Sequence, residues 1–531
     1  MFRKLFDQLN LLTAAEATVI SFLLASLIGG VALYATEHGR AVNEPMPAMR
    51  SVQVTPLDDR GRPLLDEAYR ENHTYLYTQT RQGITFVDAL FTAVSALCVT
   101  GLTSTDFSQF TLAGQLVVML LIQMGGLGII LFTSIFALVI TRGLSEHTAF
   151  KKIMKDILDT RDHDDVRNMI RHVLQYTLVI ELGGFLIMGV RLASADAALT
   201  DGVNPWWWAL FHSISAFNNA GFGLLNTNLA NFLHDPVINL VIAAQIILGG
   251  LGYPVLIFLH YWVRGRFRRR PDAVQRALHH DVDGVVASNV QVRVALVGTM
   301  FLIIFGWVVT GLVEWDNTGL GPLSAGDKVL MSFFQSVSTR TAGFNTVDIG
   351  TLHLTTLFCY ILLMFIGANP AGTAGGIKIP TVAVLYGYIK DWFRKPGEAV
   401  VLLNKRVSKF AVSHAVRLFF FSVIFIAAIT TAITFVEKNY LITPDPTFNS
   451  LKVVFEIVSA FGTVGLSMGF KGGVTSFSAI LTPFSKLLII LTMLFGRLGP
   501  LTILASLPWK RRYTDHPLSE DYPGAEKIQI G

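Results

Sequence analysis

Ser95-Ala-Leu-Cys-Val-Thr-Gly-Leu102 recurs three times along the chain, as Ser215-Ala-Phe-Asn-Asn-Ala-Gly-Phe222, Val337-Ser-Thr-Arg-Thr-Ala-Gly-Phe344 and Ser459-Ala-Phe-Gly-Thr-Val-Gly-Leu466. The glycines lie 120, 122 and 122 residues apart, and a phenylalanine stands ten positions before each, at Phe91, Phe211, Phe333 and Phe455. Chance agreement of both columns has a probability of roughly one in several million. Such a period marks one structural unit used four times.

The surroundings of the repeat say where it sits. The 531 residues are 52% apolar and 15% charged, with a mean hydropathy of +0.52, where a soluble domain carries about 25% charge. An ordinary soluble enzyme is excluded. Cys98 and Cys359, both in apolar runs, offer neither a disulfide framework nor metal-ligand spacing. Stretches nearly free of charge and long enough for the bilayer core, about 20 residues each, occur at 13–36, 112–141, 172–191, 236–263, 292–313, 354–389, 411–436 and 480–507. The first is too long for a signal-peptide core and lacks a convincing cleavage site, so the sequence predicts a retained helix and a mature chain starting near Met1. Connectors 142–171, 264–293 and 390–417 carry seven Lys or Arg each, whereas loops 102–111, 222–235 and 344–353 carry none. The positive-inside rule makes those connectors cytoplasmic, and an even number of spans puts both termini there too. Segment 37–85, with six arginines, reads as a long external loop, since long loops escape that rule.

Before each glycine lies an apolar stretch of about 12 residues, near 87–98, 207–218, 329–340 and 451–462, too short to cross and long enough to enter halfway. Irregular backbone at membrane depth is tolerated only where protein buries it or it lines water, so four such turns imply a common aqueous axis. The expected fold is an all-α polytopic membrane protein: four pseudo-symmetric repeats of span, pore helix and span, with eight spans and four re-entrant pore helices around one central pore. Its expected divisions are 1–141 for repeat one with loop 37–85, 142–263 for repeat two, 264–389 for repeat three, 390–509 for repeat four, and a cytoplasmic tail over 510–531.

The candidate ion-binding residues are the turns Val99-Thr100-Gly101, Asn219-Ala220-Gly221, Thr341-Ala342-Gly343 and Thr463-Val464-Gly465. Glycine lets successive carbonyls turn towards one axis, where four of them replace the hydration shell of an alkali cation. The turns hold no ring of Asp or Glu for a divalent cation, and no ring of Arg or Lys for an anion. Arg340 is their single charge, expected to point away from the axis and hold carbonyls or a carboxylate. Glycines also mark tight interhelical contacts, although packing alone does not require a short helix before each turn.

Repeat three carries a second feature. Gly367-Ala368-Asn369-Pro370-Ala371-Gly372-Thr373-Ala374-Gly375-Gly376 interrupts its second span before Ile377. Such a run cannot hold a regular helix, so the sequence predicts an intramembrane loop over 367–377, placed to obstruct conduction or else a static kink. The corresponding spans of the other repeats read as unbroken. Arg497 in Gly496-Arg-Leu-Gly499 is expected to contact loop carbonyls and raise a barrier to cations. Lys378 fits the same role or snorkels to the cytoplasmic interface. Glu181 fits a proton or sodium coupling site, and fits equally well a carboxylate paired to another helix. Trp206-Trp207-Trp208 reads as an aromatic belt at the outer interface. Asp162-His-Asp-Asp165 and His279-His-Asp-Val-Asp-Gly284 lack full metal spacing and sit in cytoplasmic connectors. No Walker lysine, His-Glu-x-x-His or Gly-x-Ser-x-Gly motif occurs.

Together, Phe86-Val-Asp-Ala-Leu-Phe-Thr-Ala-Val-Ser-Ala-Leu-Cys-Val-Thr-Gly-Leu102, Gln123-Met-Gly-Gly-Leu-Gly128, Asn218-Asn-Ala-Gly-Phe222, Thr339-Arg-Thr-Ala-Gly-Phe-Asn345 and Gly496-Arg-Leu-Gly-Pro-Leu-Thr502 resemble the Trk/Ktr/HKT superfamily of potassium transporters. The single span before the first turn and the tail Tyr522–Gly531 resemble most its KtrB-type membrane subunits. The resemblance implies K+ uptake across a prokaryotic cytoplasmic membrane, with Gly101, Gly221, Gly343 and Gly465 as filter glycines and 367–377 as a gate. It implies no cofactor in this chain and no enzymatic activity. It also implies a homodimer on a cytosolic ring of RCK subunits of the KtrA or TrkA type, which would bind the nucleotide. Segment 37–85 is longer than that family leads one to expect. A symporter coupling K+ to sodium or protons is the rival reading.

Overall fold

The computed structural model describes residues 14–38, 84–127, 163–194, 197–267, 289–317, 320, 323–392, 400–403, 405–440, 449–469 and 476–505. Most of segment 37–85, connector residues 142–162 and 268–288, the fragment 279–284 and the tail 510–531 lie outside them. Among the described residues the protein is helical, apart from one two-residue hairpin, β1 (Val401–Leu402) with β2 (Lys405–Arg406).

One order of elements recurs four times. A long apolar helix comes first: α1 (Ala14–His38), α4 (His163–Ala193), α8 (Asn289–Val313) and α12 (Lys409–Tyr440). Each contains a stretch long and apolar enough to cross a membrane. A short helix follows, α2 (Phe86–Leu97), α5 (Pro205–Phe217), α9 (Ala325–Ser338) and α13 (Ser450–Gly462), packed on the long one. Each starts where a side chain can cap it: Thr85 accepts from the Asp88 amide, Asn204 from Trp206 and Trp207, Ser324 from Asp327 and Asn449 from Leu451. Such a cap stabilises the helix start by about 1 kcal/mol. The ends are then set by the turns they lead into.

The second helices are α3 (Leu112–Gly126), α6 (Pro236–Leu251), α10 (Leu354–Phe365) and α14 (Pro483–Leu498). Each packs on the short helix of the next repeat: α3 on α5, α6 on α9, α10 on α13 and α14 on α2. The last of these contacts closes the four units into a ring. The closing seam carries a buried ion pair, Lys486 Nζ to Asp88 Oδ1 at 2.7 Å, where the equivalent positions of the first seam hold Gln115 and Trp208.

Two expectations are corrected here. The spans over 236–263 and 480–507 are not continuous: α6 ends at Leu251 and α7 (Tyr253–Phe267) departs at 107°, while α14 gives way at Gly499 to α15 (Pro500–Ala505). Gly252 and Gly499 have φ of 85° and 83°, a left-handed conformation that ends a helix, and Pro254 and Pro500 follow them. In repeat three the break widens into the predicted loop, between α10 and α11 (Ile379–Trp392). The tryptophan triplet is also not a simple belt. Trp208 is wholly buried and stacked on His212 at 3.7 Å, Trp207 donates to Gln115 at 2.8 Å, and only Trp206 is largely exposed.

A girdle where each first helix ends and each second helix begins ties the two together. Glu37 accepts from the Thr111 amide at 3.1 Å and from its hydroxyl at 2.6 Å. Glu437 does the same for Thr482, at 3.1 and 2.7 Å, and Glu314 accepts from the His353 amide at 3.0 Å. Repeat two reverses the polarity: Arg191 pairs with Asp235 at 3.0 Å.

Candidate functional site

The four glycine turns meet. Gly101 lies so close to the next turn that a Cβ on it would stand 2.5 Å from the Ala220 carbonyl oxygen and 3.1 Å from Gly221 Cα. On Gly221 it would stand 2.6 Å from the Ala342 oxygen and 3.1 Å from Gly343 Cα. On Gly343 it would overlap the Val464 oxygen and lie 3.0 Å from Gly465 Cα; on Gly465 it would overlap the Thr100 oxygen and lie 3.1 Å from Gly101 Cα. The sequence of contacts returns to its start. Gly101, Gly221, Gly343 and Gly465 with the carbonyls of Thr100, Ala220, Ala342 and Val464 form one closed ring, with no space for a side chain between turns.

The backbone of each turn is held the same way. Val99, Asn219, Thr341 and Thr463, each two residues before its glycine, have φ of 50°, 58°, 69° and 49°. Left-handed backbone costs about 1–3 kcal/mol at a residue other than glycine, and β-branched side chains tolerate it least. Strain at four equivalent positions is stored where the surroundings over-determine it. Local hydrogen bonds contribute: the Ser95 hydroxyl accepts from the Gly101 amide at 3.1 Å, Ser459 does so for Gly465 at 3.0 Å, and Ser215 donates to the Phe222 carbonyl at 2.9 Å. Nothing in the residue types betrays the strain, and only Asn219 is a residue commonly found in that conformation. The buried Thr100 and Thr463 hydroxyls have no partner in the protein.

The loop of repeat three packs against three of these turns, through Asn219, Arg340 and Thr463. The structure brings Gly367, Ala368, Asn369, Pro370, Gly372, Thr373, Gly375, Gly376, Lys378 and Arg497 into one contact network. Main-chain bonds tie the loop to neighbouring repeats: Asn369 N to Gly250 O at 3.1 Å, Thr373 N to Gly249 O at 3.2 Å, and Gly376 N to Gly496 O at 3.2 Å. Ala368 O accepts from Ile379 N at 3.0 Å, and Pro370 O crowds Gly252, where a Cβ would stand 2.6 Å away. Gly372 faces the carbonyls of Gly249 and Gly250, and Gly375 packs against the Thr463 side chain. The Asn219 amide satisfies its surroundings best with Nδ2 towards Thr373 Oγ1 at 3.3 Å and Ile246 O at 3.2 Å.

Three cations hold the loop. Arg340, from the third turn, donates to Ile366 O at 2.5 Å, Gly367 O at 2.7 Å and Leu363 O at 3.4 Å, capping the carbonyls that α10 leaves open. Arg497 donates to Thr373 O and, at 2.5 Å, to Gly125 O. Lys378 folds back on Ala374 O and Gly375 O rather than reaching away. Arg340 and Arg497 thus meet carbonyls as the sequence predicts. Arg340 also joins loop and third turn directly, which no spacing in the sequence reveals.

These features define a helical membrane protein whose ordered irregular backbone is gathered at one central site. Comparison with known proteins agrees. The family model for TrkH, a cation transport protein, matches residues 64–508. The chain is 35% identical over 440 residues to the Ktr system potassium uptake protein B of Bacillus subtilis (strain 168), covering 80% of this chain and 87% of that protein. It is 34% identical over 426 residues to the protein of the same name from Vibrio alginolyticus, covering 79% and 84%. The crystal structure of the potassium transporter TrkH from Vibrio parahaemolyticus shares the fold, with a TM-score of 0.59 at 18% identity over 80% of this chain and 78% of that one. The chain belongs to the TrkH family of cation transport proteins, a family of transporters and not of enzymes.

Proposed function

We propose that this chain is the K+-translocating membrane subunit of an uptake system, conducting dehydrated K+ through the ring of four glycine turns. The observation that carries the reading is the closed ring itself, in which each glycine abuts the carbonyl of the next turn. Rings of four carbonyls around one axis replace a hydration shell, and Val99, Thr100, Gly101, Asn219, Ala220, Gly221, Thr341, Ala342, Gly343, Thr463, Val464 and Gly465 line it. The names of the relatives, potassium uptake proteins, support the choice of ion. The short helices direct their negative C-terminal ends at the ring, which favours a cation beneath it.

In this reading the chain crosses a cytoplasmic inner membrane eight times, in the four repeats bounded at 141, 263, 389 and 509, with both termini and the tail 510–531 inside. Each second span crosses despite its break. The membrane potential drives uptake, with about 2.3 kcal/mol per charge for every 100 mV. Loop 367–377 is the gate, latched shut by Arg497, whose charge also opposes a cation below the ring. The chain works as a homodimer and is opened by a cytosolic RCK-type subunit, which carries the only nucleotide. Broken second helices in more than one repeat leave the case against symport resting on the common orientation of the repeats.

The test is uptake by a bacterium lacking its own K+ transport and expressing this chain with an RCK partner. K+-selective growth rescue that Gly343→Ser weakens or relaxes towards Na+ is the expected result. Failure of the well-expressed, partnered wild type to restore uptake contradicts it.

A further inference from the structure

Glu181 is a buried carboxylate midway along α4, and the described ion pairs, Arg191 with Asp235, His234 with Asp327 and Lys486 with Asp88, do not include it. Burying a charge without a counter-ion is costly unless hydrogen bonds replace water. Here amides do so. Asn218 Nδ2 lies 2.9 Å from Glu181 Oε1, and Gln123 Nε2 lies 3.3 Å from Oε2. The same Asn218 nitrogen lies 3.1 Å from Gln123 Oε1, so the three side chains close a triangle.

The triangle joins three elements. Gln123 comes from α3 of the first repeat, Glu181 from α4, and Asn218 from the end of α5, one residue before the strained Asn219 of the second turn. The Asn218 side chain has one place to sit, because it fills the space above Gly126, where a Cβ would lie 2.6 Å from its own Cβ. Glu181 is fixed in turn through its backbone: Ser213 on α5 donates to its carbonyl at 2.5 Å, and Gln245 on α6 donates to Ser213 at 2.7 Å. Both carboxylate oxygens are therefore engaged, and the Glu181 backbone is tied to both helices that flank the turn. The other repeats have no such brace at the matching position, where Cys98, Arg340 and Gly462 stand.

We propose that Glu181 is a positioning residue for the second turn: through Asn218 it sets the angle at which Asn219, Ala220 and Gly221 present their carbonyls, and so contributes to discrimination between K+ and Na+. This rests on the ring being the K+ filter. What the turn needs from Glu181 is a hydrogen-bond acceptor at a fixed point, not a charge that an ion or proton uses during transport.

The experiment measures K+ and Na+ uptake by the full chain with its cytosolic partner, normalised to the amount in the membrane. Loss of the buried acceptor, which leaves the Asn218 and Gln123 amides without it, makes Glu181→Ala raise the K+ concentration for half-maximal uptake by about tenfold and lower K+-over-Na+ preference by a similar factor. Glu181→Gln keeps an acceptor for Asn218 and stays within about threefold of wild type. Asn218→Asp sets two acceptors face to face and behaves like Glu181→Ala. The Glu181→Gln Asn218→Asp double variant restores the donor–acceptor pair between the two side chains but leaves the introduced carboxylate facing the Ile214 carbonyl and Gln123 Oε1, so it recovers selectivity in part. Unchanged selectivity in Glu181→Ala, a Glu181→Gln as defective as Glu181→Ala, or no recovery in the double variant overturns the proposal. A wild type that takes up K+ without preference over Na+ overturns the filter reading as well, and does so without reference to Glu181.

Discussion

Replacing Gly221 by alanine puts a methyl group where the ring has no room. Its Cβ would stand 2.6 Å from the Ala342 oxygen, against 3.4 Å for the start of ordinary contact. That carbonyl must recede by about 0.8 Å, since repulsion rises steeply inside van der Waals contact. The φ of 69° at this position adds about 1–2 kcal/mol of backbone strain for any residue with a side chain. A displaced carbonyl gives up a contact with the ion of about 1.5–3 kcal/mol, so half-maximal uptake shifts to roughly ten- to a hundredfold higher K+. Preference over Na+ falls with it. The control is Gly202→Ala, at φ 80° with no atom within 4 Å of the added methyl: it carries the same strain with no carbonyl to move, and uptake stays at the wild-type level. Concentration-dependent uptake of K+ and Na+ distinguishes the two. Wild-type affinity and selectivity in Gly221→Ala, or equal damage from Gly202→Ala, would refute the reasoning.

Arg497→Ala releases the Thr373 and Gly125 carbonyls together; the maximal rate of K+ uptake rises several-fold, by about 1 kcal/mol of lost latch energy, with selectivity unchanged because the ring is not touched. Flux assays on reconstituted protein check this. Lys486→Met strands Asp88 in the closing seam and lowers stability by about 3–5 kcal/mol, read as thermal unfolding in detergent, whereas the Asp88→Leu Lys486→Met pair recovers most of the loss. In the first turn of α9, the Ser324 hydroxyl first and His234 second hold Asp327 below the usual carboxylate range. The stabilisation is therefore complete above the ordinary aspartate pKa and is lost as pH falls through the lowered value. The gap between the acid melting curves of wild type and Ser324→Ala should narrow below that point to the contribution of the Ser324 cap on the Asp327 amide.

Much of this was legible in the residues. The period of 120, 122 and 122 located all four turns, and each short helix falls within four residues of its expected start because the apolar stretch before each glycine marks its length. The run from Gly367 to Gly376 declared its loop by composition. Breaks at Gly252 and Gly499 were harder to see, since each rests on one glycine with a proline close behind in an otherwise apolar run. The strained Val99, Thr341 and Thr463 were invisible, because β-branched residues ordinarily avoid that conformation and only the closed ring imposes it. Contacts across repeats, such as Arg340 with Gly367 or Asn218 with Glu181, depend on packing between segments far apart in the chain, and no local pattern encodes them.

The central claim is that the four turns bind a dehydrated alkali cation on their common axis. Its most direct measurement is a structure of the full chain determined in Tl+, with anomalous scattering used to locate the ion. The account predicts a peak on the axis, coordinated by the carbonyls of Thr100, Ala220, Ala342 and Val464, and its loss in Gly221→Ala. A ring without a peak at saturating Tl+, or a peak held by side chains elsewhere, would contradict it.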